Sequence, residues 1–155
     1  MDISRKKGNY VIVWKLEQDC GCFTPRFGNV NLESGYYFYC GSAHGSGGLK
    51  ARALRHVKPS ERKRWHIDYI KEKLAPLEVW WEETLDKNEC KFARFLNDLN
   101  QTTAPIPGFG ASDCQNRCEA HLIYASPEIE INRVFLQFKK KFQNISQTTL
   151  EDLLR

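Results

Sequence analysis

The sequence has no apolar run of membrane-spanning length, and no apolar stretch of signal-peptide type follows its polar first residues, Met1–Gly8. These absences predict a cytoplasmic protein. It also lacks repeats and low-complexity tracts, and with 41% hydrophobic residues it lacks the apolar depletion of a disordered chain. A chain of 155 residues is the usual size of one domain, so we expect a single domain with its core over about 8–125 and helices over 126–155.

Positive charge is concentrated in one part of the chain. The net charge is only +4, yet the segment from Lys50 to Lys73 holds nine basic residues and three acidic ones. Clustered Lys and Arg raise affinity for a polyanion because they displace its counterions. The segment therefore indicates a phosphate-bearing partner, with a solvated helix face as the alternative.

Hydrophobic patterning predicts an α/β (α+β) fold, with a small, mostly antiparallel central sheet of about three to five strands flanked by helices. Strands are predicted at Tyr10–Leu16, Gly28–Leu32, Tyr36–Cys40, Leu77–Trp81 and His121–Tyr124. Helices are predicted at Leu49–Val57, Trp65–Leu74 and Asn88–Leu99. The Pro- and Gly-rich stretch Thr102–Cys114 is typical of a loop.

Two further helices are expected near the C-terminus of the sequence. Ser126 and Pro127 have the N-cap and first-position pattern of a helix start, and Thr148 with Glu151 has the spacing of a capping box.

Arg52 and His56 are four residues apart and therefore share one helix face. Their helix follows the glycine-rich segment Gly41–Gly48, and exposed backbone N–H groups at such a turn favour an anion. A guanidinium fork can stabilise the charge that develops on the non-bridging oxygens of a phosphate. Taken singly, Arg52 is also consistent with an ordinary surface cation and His56 with a packed interface side chain.

Glu89 falls in the apolar stripe of a predicted helix, three residues before Phe92 and seven before Leu96. A buried carboxylate is costly unless something compensates its charge, and Mg²⁺ would do so with a single carboxylate, waters and substrate phosphate as ligands. The alternative is a capping box between Asp86 and Glu89.

The order of these residues resembles the GIY-YIG nuclease superfamily, through Gly8-Asn9-Tyr10, Tyr39-Cys40-Gly41, Arg52-x-x-x-His56 and Glu89. Four longer segments resemble its Uri-type branch, whose members occur alone or fused to endonuclease III: 35–43, 48–56, 65–69 and 108–114. Asn9 and Cys40 replace the isoleucines of the name motif. We expect these two residues to pack rather than react.

The resemblance implies a divalent-metal-dependent endonuclease that hydrolyses phosphodiesters by a one-metal mechanism, with DNA favoured over RNA. Tyr10 would act as general base, Tyr39 would place the attacking water, and Glu89 would bind Mg²⁺ or Mn²⁺. Arg52 and His56 would hold the phosphoryl group. A phenol pKa near ~10 requires help from a local cation, and His56 is the alternative base.

Further residues are assigned supporting roles. Substrate-binding candidates are Gly41, Lys50, Arg55, Arg62, Lys63, Arg64 and His66. Supporting candidates behind the catalytic residues are Tyr37, Asp68, Asn100, Ser112 and Asp113, with Asn97 competing for the place of Asn100. Small basic domains often depend on another protein for targeting, so a targeting or repair partner is also expected.

Two rival interpretations remain at this point. One is a non-catalytic nucleic-acid-binding module on the same fold. The other is a zinc-stabilised interaction domain, because Cys114, Cys118 and His121 are three soft ligands to which Cys90 or the pair Cys20 and Cys22 could add a fourth. Their spacing is irregular for a zinc knuckle, which disfavours structural zinc. Gly41–Lys50 lacks the Gly-Lys-Ser/Thr of a nucleotide-binding loop, so that function is discarded.

Overall fold

The structure, a computed structural model, describes residues 1–111 and 114–155. In these residues the main sheet has six strands: β1 (Gly8–Leu16), β4 (Gly35–Ala43), β5 (Ala75–Glu83), β6 (Thr102–Thr103), β7 (Leu122–Ala125) and β8 (Ser146–Thr149). Their order across the sheet is β6-β7-β4-β1-β5-β8, and every pairing is antiparallel. A separate hairpin joins β2 (Cys20–Thr24) to β3 (Gly28–Leu32). The predicted α+β class is confirmed.

The apolar run of β1 explains its central place in the sheet. Every residue from Gly8 to Trp14 is buried, as expected of a strand covered on both faces. Four α-helices are found in the described residues: α1 (Gly48–Val57), α2 (Glu89–Asn97), α3 (Ile131–Lys141) and α4 (Leu150–Leu154). None of them is long and apolar enough to cross a membrane.

Cross-strand register places the two motif tyrosines on one face of the sheet. Tyr10 pairs with Gly41 and Ile12 pairs with Tyr39, so the side chains of Tyr10 and Tyr39 project to the same side. His56 of α1 contacts both of these rings, so α1 covers this face.

The opposite face of the sheet packs on an aromatic cluster. Trp80 of β5 contacts Phe38 of β4 and Phe138 of α3, and Phe138 in turn contacts Phe92 of α2. The sheet therefore lies between two helical layers, and each face has its own set of buried rings.

The structure corrects several predicted elements. In place of a helix over Trp65–Leu74 there are two short 3-10 helices, His66–Tyr69 and Lys71–Lys73, where buried Asp68 accepts backbone hydrogen bonds from Arg64 and Trp65. The strands β2, β6 and β8 were not predicted, because their sequences are short or polar.

Both predicted C-terminal helix starts are also displaced along the chain. Helix α3 begins after Glu130 rather than at Ser126. The N-cap of α4 is Thr149, whose hydroxyl accepts from the Asp152 backbone, whereas Thr148 is buried and accepts a hydrogen bond from Trp81.

Candidate functional site

A polar cavity of about 500 Å³ opens where β1 begins and β4 ends, and we call it the site cavity. It is lined by all five side chains predicted to carry the chemistry, Tyr10, Tyr39, Arg52, His56 and Glu89. These residues come from two strands and two helices. The fold thus brings together groups that are separated by as many as 79 positions in the sequence.

The phenol of Tyr10 lies directly over the backbone of β4. A Cβ atom added to Gly41 would overlap the hydroxyl of Tyr10, so a glycine is required at this point of the strand. Burial raises the pKa of Tyr10 to about 12, although the neighbouring Arg52 guanidinium partly opposes the shift. Burial also raises the pKa of Tyr39 well above its usual value.

His56 is enclosed by aromatic rings and hydrogen-bonded to Tyr10. Its Nε2 lies 2.9 Å from the Tyr10 hydroxyl, and its ring contacts those of Tyr10, Tyr39 and Trp65. Burial, followed by the charge of Arg52, lowers the pKa of His56 to about 3. The imidazole is therefore neutral near pH 7. Its Nδ1 is buried and has no hydrogen-bond partner within the described part of the chain.

Positive charge surrounds one indole ring at the side of the cavity. The guanidinium carbons of Arg52 and Arg55 lie 4.8 Å from the centre of the Trp65 ring, and that of Arg64 lies 5.0 Å from it. Arg52 is oriented further by donating from Nη1 to the Ser42 carbonyl oxygen at 3.1 Å. Trp65 therefore holds cations next to the cavity, a role that its sequence context did not indicate.

Glu89 is the first residue of α2 and is half-buried at the cavity. Its carboxylate is close to the hydroxyl of Ser42, which donates a hydrogen bond to it. The capping-box alternative is not found, because the N-cap is Asn88 and makes no side-chain cap hydrogen bond. Within residues 1–111 and 114–155, no Lys, Arg or His nitrogen forms an ion pair with Glu89.

A buried amide supports Glu89 from behind. Asn9 is fully buried; its Oδ1 accepts from the Asn88 backbone at 3.0 Å, and its Nδ2 donates to Glu82 at 2.9 Å. The hydroxyl of Ser42 is also within hydrogen-bonding reach of Asn9 Oδ1. Asn9 therefore fixes both the start of α2 and the hydroxyl that meets Glu89, whereas the sequence indicated only a packing role.

Asp68 forms a buried ion cluster with Arg55 and Lys71, which we call the Asp68 ion cluster. Both Asp68 oxygens accept from Arg55 at 3.0 Å, and Lys71 Nζ lies 3.3 Å away. Burial alone would raise the pKa of Asp68, but the Arg55 hydrogen bonds, the backbone N–H groups of Arg64 and Trp65 and the charge of Lys71 together lower it to about 2. Arg55, expected to bind substrate, is thus bonded to Asp68.

The other predicted residues differ in whether they line the cavity. Gly41, Arg64 and His66 line the cavity, and His66 Nδ1 accepts from the Gly110 backbone at 2.8 Å.

Besides Arg55 and Asp68 of the Asp68 ion cluster, five further candidates are not among the residues that line the cavity: Tyr37, Lys50, Arg62, Lys63 and Asn100. Tyr37 is buried and donates to the Glu33 carbonyl oxygen at 2.6 Å, while Asn100 is exposed along a separate groove. The predictions for Ser112 and Asp113 lie outside the described residues.

Three cysteines and a histidine converge at one wall of the cavity, and we call them the Cys3His cluster. Its members are Cys90, Cys114, Cys118 and His121, whose ligand atoms all lie within 4.8 Å of one another. Cys114 and His121 also line the cavity. The group could hold a metal ion, although the irregular spacing in the sequence disfavoured one. The fourth member is Cys90, not the Cys20 and Cys22 pair of β2.

The fold and site define a small α+β domain with a polar, arginine-bordered cavity beside a cluster of metal-ligating side chains. Residues 9–144 match the family model described as domain of unknown function DUF123, and the chain therefore belongs to the DUF123 family. Comparison with curated proteins and with solved structures gives no significant match.

Proposed function

We propose that this DUF123 chain is a divalent-metal-dependent endonuclease of the GIY-YIG type that hydrolyses phosphodiester bonds, with DNA as the favoured substrate. The observation that carries the proposal is the convergence of Tyr10, Tyr39, Arg52, His56 and Glu89 on one cavity. Clustered nucleophile-activating, anion-binding and acidic groups in a concave site are the combination that phosphoryl transfer requires.

The arginines support binding of a phosphate group. Arg52 and Arg64 both line the cavity, and their planar donors match the geometry of phosphate oxygens. Close to the cavity, Arg62 and Lys63 are exposed on the same segment as Arg64, where they would contact the backbone of a longer nucleic acid. Such contacts give affinity without sequence selectivity.

The hydrogen bond between Tyr10 and His56 supports a route for the proton of the attacking water. The water proton would pass to Tyr10 Oη while the phenol proton passes to His56 Nε2, 2.9 Å away. The resulting hydroxide forms the new bond to phosphorus as the bond to the leaving oxygen breaks. A bound phosphodiester adds negative charge near His56, which raises its pKa toward a range where it accepts the proton.

Glu89 fits a divalent cation because its half-buried carboxylate faces the cavity and the described residues give it no cationic partner. One carboxylate with waters and a substrate phosphate is an ordinary ligand set for Mg²⁺, and Mn²⁺ is an alternative. When bound there, the ion would supply electrostatic stabilisation of the leaving oxygen. Ser42 and Asn9 would keep the carboxylate oriented toward it.

The test is a cleavage panel with labelled single-stranded, duplex, flap and junction DNA and with matched RNA, each with Mg²⁺ or Mn²⁺. We expect wild type to cut at least one DNA structure, Glu89→Gln to lose cleavage while retaining binding, and the exposed control Glu128→Gln to match wild type. Equal cleavage by wild type and Glu89→Gln would remove Glu89 from the mechanism.

A non-catalytic nucleic-acid-binding module is the second candidate. The raised pKa of Tyr10 favours it, since a phenol near pKa 12 is a weak general base without further help. In that case the panel would show binding but no product with either ion, and Glu89→Gln would bind as well as wild type.

A further inference from the structure

We infer that Cys90, Cys114, Cys118 and His121 bind one structural zinc ion, which fastens the segment before β7 to the start of α2. The inference is independent of the proposed nuclease activity, because these four residues are distinct from the five residues assigned to chemistry.

The number and kind of ligands fit zinc in a closed site. Three thiolates and one imidazole complete a tetrahedral coordination sphere, which leaves no open position for substrate. A disulfide would use only two of the three sulfurs and would leave a third thiol and an imidazole facing it. The full set is therefore explained by a metal ion and not by a covalent bond between two cysteines.

The distances within the cluster also fit. Around a tetrahedral zinc, sulfur and nitrogen ligands are roughly 3.5 to 3.8 Å apart. Cys90 Sγ lies 3.3 Å from Cys114 Sγ and 3.4 Å from His121 Nε2, and all four ligand atoms lie within 4.8 Å of one another. Only small side-chain movements are needed to accommodate the ion.

Backbone hydrogen bonds hold the ligand-bearing segment in place. The backbone N–H of Cys114 donates to the Ala111 carbonyl oxygen at 3.0 Å, and that of His121 donates to the Phe109 carbonyl oxygen at 2.8 Å. Outer contacts that hold the ligands in position are usual around a protein-bound metal ion.

The location of the cluster gives the ion a structural task. Cys90 follows Glu89 directly, and Gly110, Cys114 and His121 line the site cavity. A bound ion would therefore join the residue next to Glu89 to the segment that carries Cys114 and His121. Two hydrogen bonds beside the cluster also join α2 to this segment: Arg94 Nη2 donates to the Asn116 carbonyl oxygen, and the Asn97 amide donates to Glu119 at 3.1 Å.

The test measures metal in the full chain, purified without an affinity tag that binds metals. We expect about one zinc per chain for wild type and for the control Cys20→Ser, and strong loss of zinc for Cys114→Ser and Cys118→Ser. Glu89→Gln should keep its zinc, so the outcome is separable from that of the nuclease proposal.

Cobalt substitution keeps the test decisive if a cysteine variant folds poorly. Reconstitution of the wild-type chain with Co²⁺ should give the intense visible bands and thiolate charge-transfer absorption of a tetrahedral site, and chelation should lower the melting temperature. A folded wild-type chain that carries no metal under reducing conditions, or a cobalt spectrum without thiolate charge transfer, would overturn the inference.

Discussion

Arg52 and Arg55 lie three residues apart on α1 and both contact the Trp65 ring, yet their guanidinium groups differ in whether an acidic side chain neutralises their charge. Arg55 is bonded through two nitrogens to a fully buried carboxylate, so its charge is neutralised inside the Asp68 ion cluster. Arg52 lies beside Tyr10 and the Trp65 ring at the site cavity, and the described residues supply no acidic ion-pair partner for it. The comparison separates a cation used for stability from one available to an anionic ligand.

The largest expected effect comes from breaking the Asp68 ion cluster. Asp68→Asn should lower the free energy of unfolding by about 3 to 5 kcal/mol, because it leaves Arg55 and nearly buried Lys71 without a counter-charge. Urea denaturation measures the change. The exposed Asp98→Asn is the control and should stay within about 0.5 kcal/mol of wild type. A loss no larger than that of the control would contradict a structural role for the cluster.

The reciprocal change concerns Arg52. Arg52→Lys should reduce single-turnover cleavage on the order of 10²- to 10³-fold, because an ammonium cannot reproduce the guanidinium fork. Its stability should change by only about 1 kcal/mol. Arg55→Lys is the matched variant and should show the reverse pattern, with a larger loss of stability than of rate. If both variants behaved alike, the distinction between the two arginines would fail.

Stability should also depend on pH through His56. Its folded pKa is about 3 against an ordinary 6.5, so the unfolded chain binds more protons within that interval and stability falls as pH falls. We expect a loss of roughly 3 kcal/mol between pH 6.5 and 4 from this residue. Asp68 contributes only at lower pH. Its pKa is about 2 in the folded chain against an ordinary 3.8, so the stability that it provides is lost as the pH falls through this interval.

Denaturation of wild type and His56→Gln across this pH range separates the two regions. The variant should lose the pH dependence above 4 and retain the steep loss below it. An unchanged slope above pH 4 in His56→Gln would show that another group is responsible.

The smallest expected effect lies at the exposed basic segment. Lys63 is exposed and lies over the Tyr69 ring at 5.3 Å, outside the cavity. Lys63→Gln should weaken DNA binding uniformly across sequences and reduce the slope of log affinity against log salt by about 0.9. The rate at which bound DNA is cleaved should not change. Fluorescence anisotropy at several salt concentrations measures this slope. A sequence-dependent loss would assign Lys63 to base contacts instead.

The sequence predicted the strands and helices whose own residues show a clear hydrophobic pattern. The apolar run from Tyr10 and the helical periodicity of Leu49–Val57 predicted β1 and α1 nearly at their observed bounds. The polar strand Ser146–Thr149 was missed because its pairing with β5, rather than its own pattern, makes it a strand.

At the candidate site, too, short-range patterns were predictable from the sequence and contacts between distant segments were not. The five cavity residues were named through an ordered motif and a family resemblance. The sequence could not show that Arg55 meets Asp68, that Asn9 supports Glu89, or that Cys90 and not Cys20 completes the Cys3His cluster. These contacts depend on how strands and helices far apart in the chain come together.

In the proposed function, the Arg52 side of α1 faces a phosphodiester and a divalent cation. The most direct test is a crystal structure of the chain soaked with Mn²⁺ and a short DNA oligonucleotide, with anomalous scattering used to locate manganese. We expect a manganese peak at bonding distance from the Glu89 carboxylate and a DNA phosphate between it and Arg52. Manganese bound elsewhere, with DNA away from the cavity, would contradict it.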